Sequence, residues 1–271
     1  MFARTLPALA VALLLVLAGC SGAGGPGAAD TATPVAPTGN DGATTGAAGG
    51  GDAALDLTDP ESTLRSAESF TAAWRYSGTD ADGVESTVAY TYRADLEASR
   101  AHIVVTSEQA GEPAGGSFER FIADGIAYTQ VGSGDAVFYQ AEPQADFDVL
   151  SESLARTTVY DTDTDSLEKV GTETYNGVRV DRYELSANAS TIWTGMATVG
   201  SQPSDFDEFD VDYVVLVDAD GLARYESWTF DGTTNDGQRV NGAWEYSLSG
   251  VGSTTVEAPD WLDDARAQTG N

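Results

Sequence analysis

The sequence predicts a β-rich α+β domain built on one antiparallel sheet with a few short helices. Three observations predict it. Apolar and polar residues alternate with period two through most of the chain after residue 68. Asx-Gly pairs, the residues of tight hairpins, punctuate the alternating runs. Helical spacing or helix-start chemistry appears only in short stretches near residues 60, 150 and 190.

The first element is a helix, with Asp59 as N-cap, Pro60 at the first helical position and Glu-Ser-Thr-Leu-Arg-Ser-Ala behind them. Alternation then begins. Phe70, Ala72, Trp74 and Tyr76 share a face, as do Val88, Tyr90 and Tyr92, and then Ala101, Ile103 and Val105. These runs make a meander of four to five strands. Phe147, Leu150 and Leu154 fall at helical spacing between Asp146 and Arg156, so an amphipathic helix follows. In the next hairpin the apolar phase flips from Val178 and Val180 to Tyr183 and Leu185, which a β-bulge near Asp181 would reconcile. Ser190 to Gly200 carries Ile192, Trp193, Met196 and Val199 and reads as a short helix or flap. Val214 to Val217 is apolar on both faces, a strand covered from both sides. Val240, Trp244, Tyr246 and Leu248 share a face with Gly242 in the last strand. Hairpin turns are expected at Asp82-Gly83, Asp124-Gly125, Asn176-Gly177, Asp220-Gly221 and Asp231-Gly232.

Upstream of this domain the chain changes character twice. Residues 1–19 read as a signal peptide: Arg4 supplies a positive n-region, and the apolar run from Leu6 to Ala18 is too short to span a bilayer. The run closes in Leu17-Ala18-Gly19-Cys20, which resembles a lipobox, and Cys20 is the only cysteine of the chain. The resemblance implies cleavage before Cys20, lipid on its sulfur, and a chain anchored to the outer face of the cytoplasmic membrane. Residues 20–54 are the lipidated cysteine and a Gly/Ala/Thr/Pro tether with nothing to bury, whose random-coil reach is about 30 Å. The match of Gly22, Gly24 and Gly27 to a dinucleotide fingerprint lacks a preceding strand and is compositional. Residues 55–271 form the domain.

Charge narrows the partners. The chain has 43 Asp and Glu against 13 Lys and Arg, a formal net charge of −30, and Lys169 is its one lysine. Such a surface cannot neutralise phosphates, which excludes nucleic acid and polybasic attachment to a membrane. Hydrophobic residues at 41% still provide a core. An acidic, lysine-poor and yet foldable composition suits near-saturating salt, where at about 1 M the Debye length is only about 3 Å.

Several stretches then resemble the LolA/LppX-like lipoprotein-carrier superfamily. They are Ala123-Asp124-Gly125-Ile126-Ala127-Tyr128, the run from Tyr175-Asn176-Gly177 to Tyr183, the run from Val217-Asp218-Ala219-Asp220-Gly221 to Arg224, and Val256-Glu257-Ala258-Pro259. More narrowly, the chain is similar to haloarchaeal lipoproteins that carry this kind of domain. The resemblance implies a curved antiparallel sheet forming an open half-barrel, with a few short helices on its concave face. It also implies a lipid or other apolar ligand between sheet and helices. The residues that would line such a site are Trp74, Tyr76, Tyr90, Tyr92, Leu150, Leu154, Trp193, Met196, Trp244 and Tyr246. The same aromatics can instead pack into a filled core, leaving a cell-surface structural or interaction module with a protein partner.

Little in the chain suggests catalysis. His102, the lone histidine, lies on the strand face opposite Ile103 and reads as a surface or satisfied residue. One histidine and one consumed thiol cannot assemble a zinc set, and no G-x-S-x-G pattern occurs. Asp161, Asp163 and Asp165 match the start of an EF-hand loop, but Ser166 stands where glycine is needed and Thr172 where a bidentate glutamate belongs. No metal, cofactor or enzyme activity is expected, and an extracellular hydrolase would require a cleft with converging carboxylates. Asn188-Ala189-Ser190 is a glycosylation sequon, making Asn188 a modification candidate.

Overall fold

The computed structural model describes residues 55–110, 117–132, 136–144, 148–161, 167–185 and 206–270. Helix α1 (Pro60–Ala67) begins where the sequence places it, with the Asp59 carboxylate accepting from the Glu61 amide at 3.1 Å. It ends at Glu68, whose φ of 63° returns the amide to the carbonyls of Leu64 and Arg65. Leu64, fully buried, is the helix's contribution to the core.

Strands β1 (Ser69–Thr79), β2 (Glu85–Asp95), β3 (Arg100–Gln109), β4 (Phe118–Ala123), β5 (Ile126–Val131) and β6 (Phe138–Pro143) form an antiparallel meander. It has six strands rather than four or five. The extra strand is β6, whose alternation is faint because its residues are half-buried or exposed. Helix α2 (Val149–Leu154) follows, shorter than the expected Asp146–Arg156, and then a 3-10 turn at Val159–Asp161. A hairpin of β7 (Leu167–Tyr175) and β8 (Val178–Leu185) precedes β9 (Phe206–Asp218), β10 (Ala223–Thr234), β11 (Arg239–Ser249) and helix α3 (Leu262–Thr269).

The sheet order is β6-β5-β4-β3-β2-β1-β11-β10-β9-β8-β7. Every neighbouring pair is a sequential meander step except the central one, where β1 meets β11 from Thr71↔Ser249 to Thr79↔Asn241. The eleven strands form an open half-barrel whose free edges are β6 and β7. The chain passes from one edge to the other through residues 144–166, and the described part of that crossing, 148–161, packs on the concave face. Both edges are blunted: β6 ends in Pro143, and β7 carries exposed Glu168 and Glu173 with a register shift between Lys169 and Gly171.

That shift corrects one sequence expectation. The irregularity lies in β7, across from Arg182 and Tyr183, and not in β8 at Asp181 itself, because β8 pairs in unbroken register with β9 from Val180↔Asp218 to Glu184↔Val214. The phase flip in β8 has another cause: both faces are covered. Val178 and Val180 pack with Tyr175, Leu216 and Tyr225 on the convex side, while Tyr183 and Leu185 join the main core. The same two layers clasp β9, where Val215 and Val217 face inward and Val214 and Leu216 outward, as the doubly apolar run predicts.

Turn chemistry holds at Asn176-Gly177, where φ angles of 48° and 81° are those of a type I′ hairpin. Asp231-Gly232 is corrected. It lies inside β10, paired with Asp210 and Phe209 on one side and Asn241 and Val240 on the other. Gly232 is there for space: an added Cβ would stand 3.1 Å from Phe206 and 3.2 Å from Phe209. The turn falls five residues later, at Gly237.

Not every helix sits on the concave face. On the convex side, Leu262 and Ala265 of α3, with Val256 and Trp261, pack on Phe121, Ala123 and Tyr128. His102 faces this side as expected. Its Nε2 lies 3.2 Å from Glu119 Oε2, which also accepts from Trp261 Nε1 at 2.8 Å. These bonds hold the Glu119 carboxyl below the usual range, the His102 bond contributing most.

Candidate functional site

Antiparallel register writes the concave face. Trp74 is opposite Tyr90 on β2 and Tyr246 on β11, and Tyr76 is opposite Val88 and Trp244. Trp244 in turn faces Trp228 on β10. Period-two alternation therefore becomes a band of rings running across the strands. Trp74 and Tyr90 stack at 4.4 Å, Tyr90 and Tyr92 lie 6.1 Å apart, Trp228 and Trp244 6.1 Å, and Trp244 and Tyr246 6.4 Å. Such pairs add about 0.5–1.5 kcal/mol each beyond area burial. Toward the far end of the strands the band continues through Phe230, which lies over Gly242. A Cβ there would overlap Phe230 Cε1.

The crossing segment is fastened over this band by polar bonds. The Tyr92 hydroxyl donates to Glu152 Oε1 at 3.3 Å, and Tyr160 Oη accepts from the Ala223 amide at 3.1 Å. The principal fastening is Glu226 on β10, fully buried on the inner face between Val215 and Tyr246 in the cross-strand row. It accepts from the Thr157 hydroxyl, from the Thr158 amide at 3.1 Å and the Thr158 hydroxyl at 2.5 Å, and from Tyr213 Oη at 2.7 Å. The carboxylate thus has its lone pairs filled by neutral donors, without a cationic partner among the described residues. Arg156, between α2 and these threonines, lays its guanidinium over Trp74 at 5.0 Å and Tyr90 at 5.2 Å.

Burial keeps the phenols of this face neutral. Tyr92 is pushed well up, the nearby Glu152 charge adding to desolvation, and Tyr246 further still. Tyr160 is pushed up to about 12 for the same reason. On the β4 side of α2 a pocket of about 370 Å³ opens between Arg120, Ile122, Gln144, Asp148, Val149, Ser151 and Glu152. That volume is at the lower end of the usual range for ligand pockets, about 300–1,000 Å³.

The structure brings together Trp74, Tyr76, Tyr90, Tyr92, Trp244 and Tyr246, with Leu150 and Leu154 of α2 packed on the same core. Tyr92, Leu150 and Tyr246 are fully buried, Trp74 and Trp244 nearly so, and Tyr76, Tyr90 and Leu154 half-buried. Trp193, Met196, Asn188, Cys20, Phe147, Asp163 and Asp165 lie outside the described residues. Sequence reasoning did not single out Glu226, Arg156 or Arg120. Glu226 had a legible signal, since it keeps the parity of Trp228 and Phe230 in an otherwise apolar face. Among the described residues no group of three or more His, Cys, Asp or Glu side chains is placed to hold a metal ion. No described helix is long and apolar enough to cross a membrane.

An open antiparallel half-barrel, crossed on its concave face by a helical segment, is the architecture that the LolA/LppX resemblance implies. The chain belongs to a family of unknown function, DUF7537, whose model matches residues 5–265. No curated protein matches the sequence. Among solved structures it is similar to LprF from Mycobacterium bovis, at 10% identity over 73% of this chain and 92% of that one, with a TM-score of 0.33. It is also similar to the LolA superfamily protein NE2245 from Nitrosomonas europaea, at 10% identity over 76% and 97% of the two chains, with a TM-score of 0.23. The fold assignment rests on the strand order and registers described above.

Proposed function

We propose that this protein is a membrane-anchored extracellular lipoprotein that binds a lipid or other apolar ligand between its sheet and its crossing segment. The observation that carries the reading is the concave face itself. It is a continuous band of aromatic rings with few polar groups, the composition of a small-molecule site, and a pocket of about 370 Å³ with a mostly polar lining opens at its side. Catalysis has no comparable support: the lone histidine faces the convex side and serves to hold Trp261 through Glu119. Anchoring rests on the lipobox-like Leu17-Ala18-Gly19-Cys20 and the tether behind it, and adaptation to brine rests on the charge of −30.

The full chain, purified from its own membrane or a halophilic host in high salt, is expected to retain lipid detectable by native mass spectrometry. A preparation free of lipid, and unable to take up a fluorescent fatty acid, would refute the reading. A second reading is favoured by the complete burial of Tyr92 and Tyr246: a filled core and a surface module that engages a protein. In that case apolar ligands leave hydrogen exchange of the crossing segment unchanged.

A further inference from the structure

The inner face is short of hydrogen-bond acceptors. Three donor atoms, Arg156 Nε, Trp74 Nε1 and Tyr246 Oη, are buried without a hydrogen-bond partner among the described residues. They are neighbours: Trp74 and Tyr246 are direct cross-strand partners, and Arg156 lies over the Trp74 ring. Trp74 is 8% exposed and Tyr246 1%, so water from the surface does not readily serve them. Tyr92 Oη sits beside Trp74 and Arg156 but lacks hydrogen-bond geometry to Trp74 Nε1 or Arg156 Nε, and its own proton is directed to Glu152. In a chain with 43 acids, Arg156 forms no ion pair among the described residues. The carboxylates facing this region are engaged elsewhere: Glu152, one helical turn away, by Tyr92, and Glu226, opposite Tyr246, by Thr157, Thr158 and Tyr213. Stacking covers the flat face of the Arg156 guanidinium and leaves Nε, on the edge that grips a carboxylate or phosphate, without a partner.

We infer that Arg156 is the headgroup-reading residue of the concave face, and that the ligand is an amphiphile whose polar end is a carboxylate or a phosphate. The inference deepens the proposed function and rests on it. An apolar tail lies along the ring band, and its anionic end meets the half-buried guanidinium, with the Trp74 indole N–H behind it. Molar salt weakens such a pair less here than at the surface, because aromatic walls exclude counter-ions.

The test is equilibrium binding to the full chain in high salt, read by tryptophan fluorescence, with four probes of one chain length. Oleate offers a carboxylate, oleoyl lysophosphatidate a phosphate, and methyl oleate and monoolein a neutral end. The wild-type protein should prefer at least one anionic probe over the neutral ones by about tenfold or more, and the tighter anionic probe identifies the headgroup. Arg156→Gln should abolish the preference, its anionic and neutral probes binding alike, and Arg156→Lys should restore part of it. Equal affinity for charged and neutral probes in the wild type, or a preference that survives Arg156→Gln, overturns the assignment of Arg156 while the apolar-ligand reading stands. Failure of all four probes to bind overturns both.

Discussion

Replacing Glu226 by alanine should unfasten the crossing segment from the sheet. The side chain accepts from three hydroxyls and one amide, and the two most deeply buried donors, Thr157 and Tyr213, are 6% and 3% exposed. Each buried donor left without an acceptor costs about 1–3 kcal/mol, while Thr158, at the rim, can turn to water. Two such donors amount to about 2–6 kcal/mol. Removing the carboxylate also relieves the cost of keeping an ion out of water, which offsets part of this. A net loss of about 3 kcal/mol is expected, or about 6–12 °C in Tm for a domain of this size. The loss should be local first. Hydrogen exchange followed by mass spectrometry should show faster exchange at residues 149–161, above all at the Thr158 amide, with β1, β2 and β11 little changed. Glu226→Gln, which keeps shape and one acceptor oxygen, should fall between wild type and alanine. If Glu226→Ala leaves both the stability and the protection of 149–161 as they were, the carboxylate does not hold the crossing segment and the reasoning fails.

Gly242→Ala should destabilise by about 1–3 kcal/mol, since its Cβ would overlap the Phe230 ring. Denaturant titration of the single and the Phe230→Leu double variant checks this, the smaller side chain recovering most of the loss. Glu119 carries a pH signature. Its folded pKa is depressed, so its contribution is present above the ordinary carboxyl value of 4.5 and is lost as pH falls through the folded value. Glu119→Gln should therefore cost stability at pH 7 and progressively less as pH falls below 4.5, measured by chemical denaturation, with Trp261 fluorescence following the same trend. Cys20→Ser should release the protein into the medium or leave it unprocessed, read by membrane fractionation and intact mass. A processed form that stays on the membrane would contradict lipid anchoring.

What the sequence made legible was parity and punctuation. Trp74, Tyr76, Tyr90, Tyr92, Trp244 and Tyr246 were readable as one face because β-structure has period two and one side of this sheet is the core. Asp59 announced α1 because capping is local chemistry. Errors arose where tertiary neighbours override local signals. Asp231-Gly232 looks like a turn to its own neighbours in sequence, yet Phe206 and Phe209 on another strand claim the space above its glycine. The flip in β8 mimics a bulge only if one face is assumed to be wet, whereas a second apolar layer covers its outside. Helix α3 buries only Leu262 and Ala265, too few apolar positions to announce themselves. Arg156 was silent because a lone cation on a helix end resembles any solvated one until the rings beneath it are seen.

The place where β1 meets β11 has a consequence for how the chain assembles. Nine of the sheet's ten strand pairings join strands that follow one another along the chain, so two wings, β1–β6 and β7–β11, are built mostly from nearby residues. Only the seam between them joins residues some 170 apart, as at Thr71↔Ser249. Contacts of such separation carry the largest loop-closure cost and set the pace of folding. Until the last strand arrives, β1 presents an unpaired edge bearing Phe70, Trp74 and Tyr76, so the final eleven-residue strand is the zipper that turns two sticky sheets into one.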